Sequence, residues 1–184
     1  MMETLRISKE NRIRSLLKQP GILALLILIV CMGVSMVLVP LAYETNDDPG
    51  MMGNVNGAKT GEPEADTLFS LFLWGKLVSC LYTLIPGVSW YTILFLMLIA
   101  LSQWIIFTEL IRLTEKAGRL WLGVLFSFAL YALVFLYNTV RPQFTVVSAF
   151  CGLAALTLLL TRRGEEEILP AALALLQTST DSDK

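Results

Sequence analysis

Two adjacent carboxylates, Asp47 and Asp48, are the residues of this chain best suited to chemistry. They stand in Asn46-Asp47-Asp48-Pro49-Gly50, a few residues beyond the end of a long apolar run. Carboxylates at that depth lie beside lipid headgroups, where a lipid-linked substrate would present its phosphate. One of them could act as a general base, or the pair could share a divalent cation, Mg or Mn, bridging to phosphate. The plainer alternative is an N-D-D-P-G turn with solvated acids, since each of these residue types favours turns. Two cations are candidates for holding an anionic headgroup or substrate phosphate. Arg141 lies in Asn138-Thr139-Val140-Arg141-Pro142, and Lys76 lies inside an apolar stretch. Arg141 could equally be a snorkelling anchor. The chain has no histidine, so the commonest general base and metal ligand is missing.

Other patterns carry less. Cys31, Cys80 and Cys151 each sit in apolar surroundings without metal spacing and read as small hydrophobes. Gly53 to Thr60, GNVNGAKT, misses the phosphate-loop pattern because Ala58 replaces its second glycine and no strand precedes it.

The elements that must position these residues are membrane helices. Of 184 residues, 55% are hydrophobic and only 16% charged, and the mean hydropathy is +0.68. This excludes a disordered chain and argues against a soluble globule. The net charge of −1 offers nothing to nucleic acid. Four stretches are long enough to cross a bilayer as helices: 20–42, 88–108, 120–137 and 143–161. The first is too long for a signal-peptide core and lacks a cleavage site, so it is expected to remain as an anchor.

A fifth stretch, 68–86, contains Lys76 near its middle. A central Lys costs roughly 2.5–3.5 kcal/mol on insertion, and each Leu, Ile, Phe or Val returns about 0.3–0.6, so the sum does not decide. Lys76, Ser79 and Thr83 form a polar stripe at helical spacing, which suits an interfacial amphipathic helix. The distribution of cations supports the same choice. With 68–86 in the plane of the membrane, Arg6, Lys9, Arg12, Arg14, Lys18, Arg112, Lys116, Arg119, Arg162, Arg163 and Lys184 are cytoplasmic, and only Lys59, Lys76 and Arg141 are external.

The expected fold is therefore all-α: four transmembrane helices, plus one interfacial helix in a long first external loop. A basic cytoplasmic N-terminus (1–19) precedes the first span. The acidic loop (43–67), a cytoplasmic connector (109–119) built from charged helix-end pairs, an external turn (138–142) and a cytoplasmic tail (162–184) complete it. Gln103, inside the second span, is expected to hydrogen-bond a neighbouring helix.

One combination of motifs is familiar. A basic N-terminus and a single span precede N-D-D and an acidic loop; then come L-x-x-W-G-K-L-x-x-x-L-Y and P-G-V-S-W-Y. This order resembles the N-terminal part of GT-C-type integral membrane glycosyltransferases, in particular bacterial membrane proteins of cell-surface polysaccharide clusters. The resemblance implies residence in the bacterial cytoplasmic membrane and a polyprenyl-phosphate-linked sugar donor. It also implies that Asp47 and Asp48 match the acidic pair of the first external loop, with Asp48 favoured as the residue assisting attack of the acceptor. Members of that group usually have around ten or more spans. Four spans imply either an N-terminal fragment or a reduced protein working with a membrane partner or as a homo-oligomer. The alternative from another class is a non-catalytic membrane subunit or scaffold of cell-envelope polysaccharide assembly. A small transporter is the weakest reading, because no acidic residue lies in mid-span.

Overall fold

A computed structural model describes residues 19–44, 47–67 and 71–163. The expectations for the basic N-terminus, Asn46 and the tail beyond Arg163 fall outside the described residues. Within them every regular element is helical: α1 (Pro20–Leu38), α2 (Asp47–Val55), α3 (Phe72–Leu84), α4 (Trp90–Lys116), α5 (Leu120–Leu130), a π-helical turn (Tyr131–Phe135), α6 (Leu136–Val140) and α7 (Phe144–Arg163).

Four helical stretches are long and apolar enough to span a membrane: Pro20–Leu38, Trp90–Lys116, Leu120–Val140 and Phe144–Arg163. The third comprises α5, the π turn and α6 as one rod. Most of their side-chain surface points away from the bundle; Leu133 and Val37 are each 85% exposed. Apolar faces this large would associate indiscriminately in water, and they suit contact with lipid. The molecule is thus built as a multi-pass membrane protein. At 13 residues, α3 is about 20 Å long, too short to cross the hydrocarbon layer.

α1 begins at Pro20, where the missing N–H is harmless, and stops two residues before Pro40. α4 packs against α1, α5 and α7 and is the central helix. The core is aromatic where α4, the π turn and α7 meet. Phe135 stands edge-on to Phe107 (centroids 5.8 Å apart) and to Phe150 (4.8 Å), geometries favoured by ring quadrupoles. Polar contacts cross between spans. Tyr131 donates to Ser35 Oγ at 2.9 Å, and Ser35 donates to the Cys31 carbonyl. The bond expected of Gln103 goes to Thr139 Oγ1 at 3.0 Å.

The structure corrects three expectations. The connector expected over 109–119, a helix end of charged pairs, is that helix end, α4 running on to Lys116, but it is not a solvated one throughout. Glu109 is buried and pairs with Arg112 one turn on, Ile111 is buried, and the Thr114 hydroxyl donates back to Leu110 and Ile111 carbonyls. The helix stops at Gly118, whose φ of 70° closes the last turn in the left-handed region. The acidic loop is not turn and coil throughout, since α2 occupies Asp47–Val55. Two acids and a proline in the first turn suit a helix start electrostatically and sterically. The polar stripe of α3 is split: Ser79 faces inward with Gly75, Val78 and Tyr82, whereas Lys76 and Thr83 are exposed. Gly75 explains that orientation. The chain following α2 crosses it so closely that a β-carbon there would collide with the Ala65 carbonyl.

Candidate functional site

At the loop end of the bundle, α2 lies against α3, and α3 against α4. Asp48 is 0% exposed. Its Oδ1 accepts the Tyr91 hydroxyl proton at 3.0 Å and the Phe144 N–H at 3.3 Å. Three distant segments therefore converge on one carboxylate: the start of α2, the start of α4 and the start of α7. Phe144 opens a 20-residue helix, so the positive end of that helix faces the acid. Tyr91 is held in turn, its N–H donating to the Tyr82 hydroxyl at 3.3 Å. Its ring packs on Phe95, with centroids 4.4 Å apart, and edge-on to Tyr43 at 6.1 Å.

Asp47, one residue earlier, is exposed. It makes no hydrogen bond or ion pair among the described residues. The two acids thus differ in kind. Asp48 is a tether between the loop and two spans, and Asp47 is presented to whatever approaches. Asp48 is not the solvated acid of a surface turn. Both bonds fall on the one oxygen, Oδ1, of Asp48. Among the described residues no group of three or more His, Cys, Asp or Glu is placed to hold a metal.

The other two candidates are separated. Arg141 is half-buried at the end of α6, its N–H donating to the Tyr137 carbonyl at 2.8 Å. It lies within electrostatic reach of the Tyr137 hydroxyl, which donates to Glu44 at 2.6 Å. Only Pro142 and Gln143 separate it from Phe144, so it belongs to the same rim as Asp48. Lys76 is exposed on α3, and no contact among the described residues ties it to either aspartate.

Lys59 is a cation that sequence reasoning passed over. Its stem lies along α2 over Gly53, with Cγ and Cε each 3.3 Å from where a β-carbon would stand, and its Nζ is 3.6 Å from that position at Gly50. The ammonium therefore sits one turn from Asp47. The glycines at i and i+3 were the available signal, hidden because the segment reads as loop.

Tyr43, a few residues beyond α1, ties that end of the chain to α2 and α4. Its hydroxyl shares a short hydrogen bond with Thr92 and reaches the Met52 sulfur at 3.6 Å. Burial, more than the nearby Asp48 charge, pushes its ionisation up to about 12. An acid whose folded pKa is raised contributes stability below its unfolded value and loses it as pH rises towards the folded one. Thermal unfolding in detergent should therefore show the gap between the parent and Tyr43→Phe narrowing from about pH 10 to pH 12. A constant gap would place the tyrosine in water.

Two clefts adjoin these residues. One, of about 550 Å³, is lined by Met52 of α2, Asn56 just after it, Tyr82 and Thr83 of α3, and the turn 86–89. The other, of about 410 Å³, lies between α3, α4 and α7 and is mainly apolar, with Trp74, Phe95, Leu98, Phe144 and Val147 in its walls. Neither aspartate lines either cleft. Asp48 reaches the first through Tyr91 and Tyr82, and the second through Phe144. No protein-family model matches this chain, and no curated protein or solved structure matches it.

Proposed function

We propose that the chain is a membrane module for a lipid-linked sugar, resembling the N-terminal part of a GT-C-type glycosyltransferase of the bacterial cytoplasmic membrane, with its N-terminus cytoplasmic and its acidic loop external. The observation that carries this reading is the arrangement around Asp48. A cleft whose largely apolar walls carry several neutral hydrogen-bonding side chains adjoins it on one side, and a more apolar cleft between α3, α4 and α7 on the other, with a free carboxylate, Asp47, beside it. A polyprenyl-phosphate sugar is an amphiphile of matching character.

In this reading Asp47 is the general base and Asp48 a positioning residue. Asp47 takes the proton of an acceptor hydroxyl as that oxygen bonds to the anomeric carbon. The bond from that carbon to the phosphate oxygen breaks, and polyprenyl phosphate leaves with the electron pair. Lys59 and Arg141 are the cations available to the phosphate.

Membranes bearing the protein, given a radiolabelled polyprenyl-phosphate hexose, should transfer label to a saccharide acceptor. Asp47→Asn should lower that rate about 100-fold or more, as expected for loss of a general base, while leaving thermal stability unchanged. Transfer that survives Asp47→Asn would remove the catalytic assignment. It would favour instead a scaffold in polysaccharide assembly, in which the buried Asp48 is a strut.

A further inference from the structure

We propose that the 550 Å³ cleft between α2, α3 and the turn before α4 is a binding site for an uncharged saccharide. The volume is within the range of small-ligand pockets. Among the described residues no Lys, Arg, Asp or Glu lines it. An anionic phosphate or carboxylate would be desolvated there without a compensating charge, which disfavours both as ligands.

The walls nevertheless offer neutral hydrogen-bonding groups at three points around one space. Asn56 Oδ1 accepts the Ala58 N–H at 2.9 Å, which fixes the orientation of the amide and leaves its Nδ2 protons as donors. The Thr83 hydroxyl donates to the Ser79 carbonyl at 2.9 Å, leaving its lone pairs to accept. Ser89 precedes α4 without making a side-chain cap bond, so its hydroxyl is available in both senses. Sugar hydroxyls both donate and accept, and they match such a mixed set. Met52, Pro63 and Pro86 supply the apolar contact that the C–H faces of a pyranose ring require. Lys59 does not contribute, since its side chain follows another flank of α2 over Gly50 and Gly53. The walls are also braced: Gly57, with φ 78°, and the Glu64 N–H bond to the Asn54 carbonyl at 3.1 Å fold the chain after α2 back to deliver Pro63.

The choice of a sugar over another neutral polyol rests on the function proposed above. The site itself does not depend on Asp47. The test is saturation-transfer NMR on the full chain in lipid nanodiscs, with neutral hexoses and N-acetylhexosamines as probes. At least one probe should receive saturation, and inorganic phosphate should not compete with it. Thr83→Val, which keeps side-chain shape, and Asn56→Leu should each weaken binding about fivefold or more, the change expected from one lost neutral hydrogen bond. Asp47→Asn should leave binding intact. Absence of transfer to every probe, competition by phosphate, or binding unchanged in both cleft variants would each overturn the site. Sugar transfer dependent on Asp47 would then still stand by itself, so the two proposals fail separately.

Discussion

Asp48→Ala should destabilise the protein by about 3 kcal/mol or more, a large fraction of the net stability of a folded chain. The carboxylate is buried and holds two donors, the hydroxyl of the fully buried Tyr91 and the N–H of the partly buried Phe144. Truncation strips both of their acceptor, and a buried donor left unsatisfied costs about 1–3 kcal/mol. The loss also releases α2 from α4 and α7 together, because the same oxygen serves both. Asp48→Asn keeps an acceptor oxygen in place and should cost about half as much, since bonds to a neutral acceptor are weaker. Tyr91→Phe removes one donor only and should fall between the parent and Asp48→Ala. In a double-mutant cycle the Asp48→Ala and Tyr91→Phe effects should be strongly non-additive. The measurement is thermal unfolding in detergent, followed by tryptophan fluorescence, with limited proteolysis of residues 47–67 as a local probe. An Asp48→Ala protein with an unchanged Tm and an uncut loop would contradict the tether.

The contrast between Asp47 and Asp48 also marks where sequence reasoning stops. The spans are legible because each is an unbroken apolar block, and lipid allows such a block little except a helix. Their ends are less so. α4 outruns its apolar part on the charged helix-end pairs that spacing reveals, Glu109 with Arg112 among them, but hydropathy does not report that Glu109 is buried. α2 is hidden by its composition, since Pro49, Gly50 and Gly53 read as turn residues until Pro49 is recognised as lying within a first helical turn. The candidate site is half legible. Two acids after the first span stand out at once. That one of them is buried depends on Tyr91 and Phe144, 43 and 96 residues further along the chain, and local pattern cannot reveal such pairings. The resemblance favours Asp48 for catalysis; in the function proposed above its burial makes it the positioning residue and Asp47 the base.

At the opposite end of the bundle a single glycine should prove as sensitive as Asp48. Gly123 lies where α5 turns back along α4, just after the tight turn at Gly118, and it is buried. A β-carbon added there would stand 2.9 Å from the Ile111 Cα and collide with the Thr114 hydroxyl. The nearest obstacle is the Thr114 hydroxyl, but the next is backbone, so the crossing can accommodate a side chain only by moving two helices apart. Small residues at such crossings let membrane helices approach closely, which matters where packing rather than water drives association. Gly123→Ala should therefore cost about 1–3 kcal/mol by overpacking, and Gly123→Leu more. Because Thr114 donates to two carbonyls of its own helix, a forced shift also disturbs the final turns of α4. Gly152, on an exposed face of α7, meets nothing within 4 Å and is the internal control. Replacing a helical glycine by alanine there should be neutral or slightly stabilising. Thermal unfolding of both variants in the same detergent separates the cases. If Gly123→Leu were tolerated, the close approach of α4 and α5 would be wrong. If Gly152→Ala were the damaging change, the outward face of α7 would have to be covered in the assembled protein.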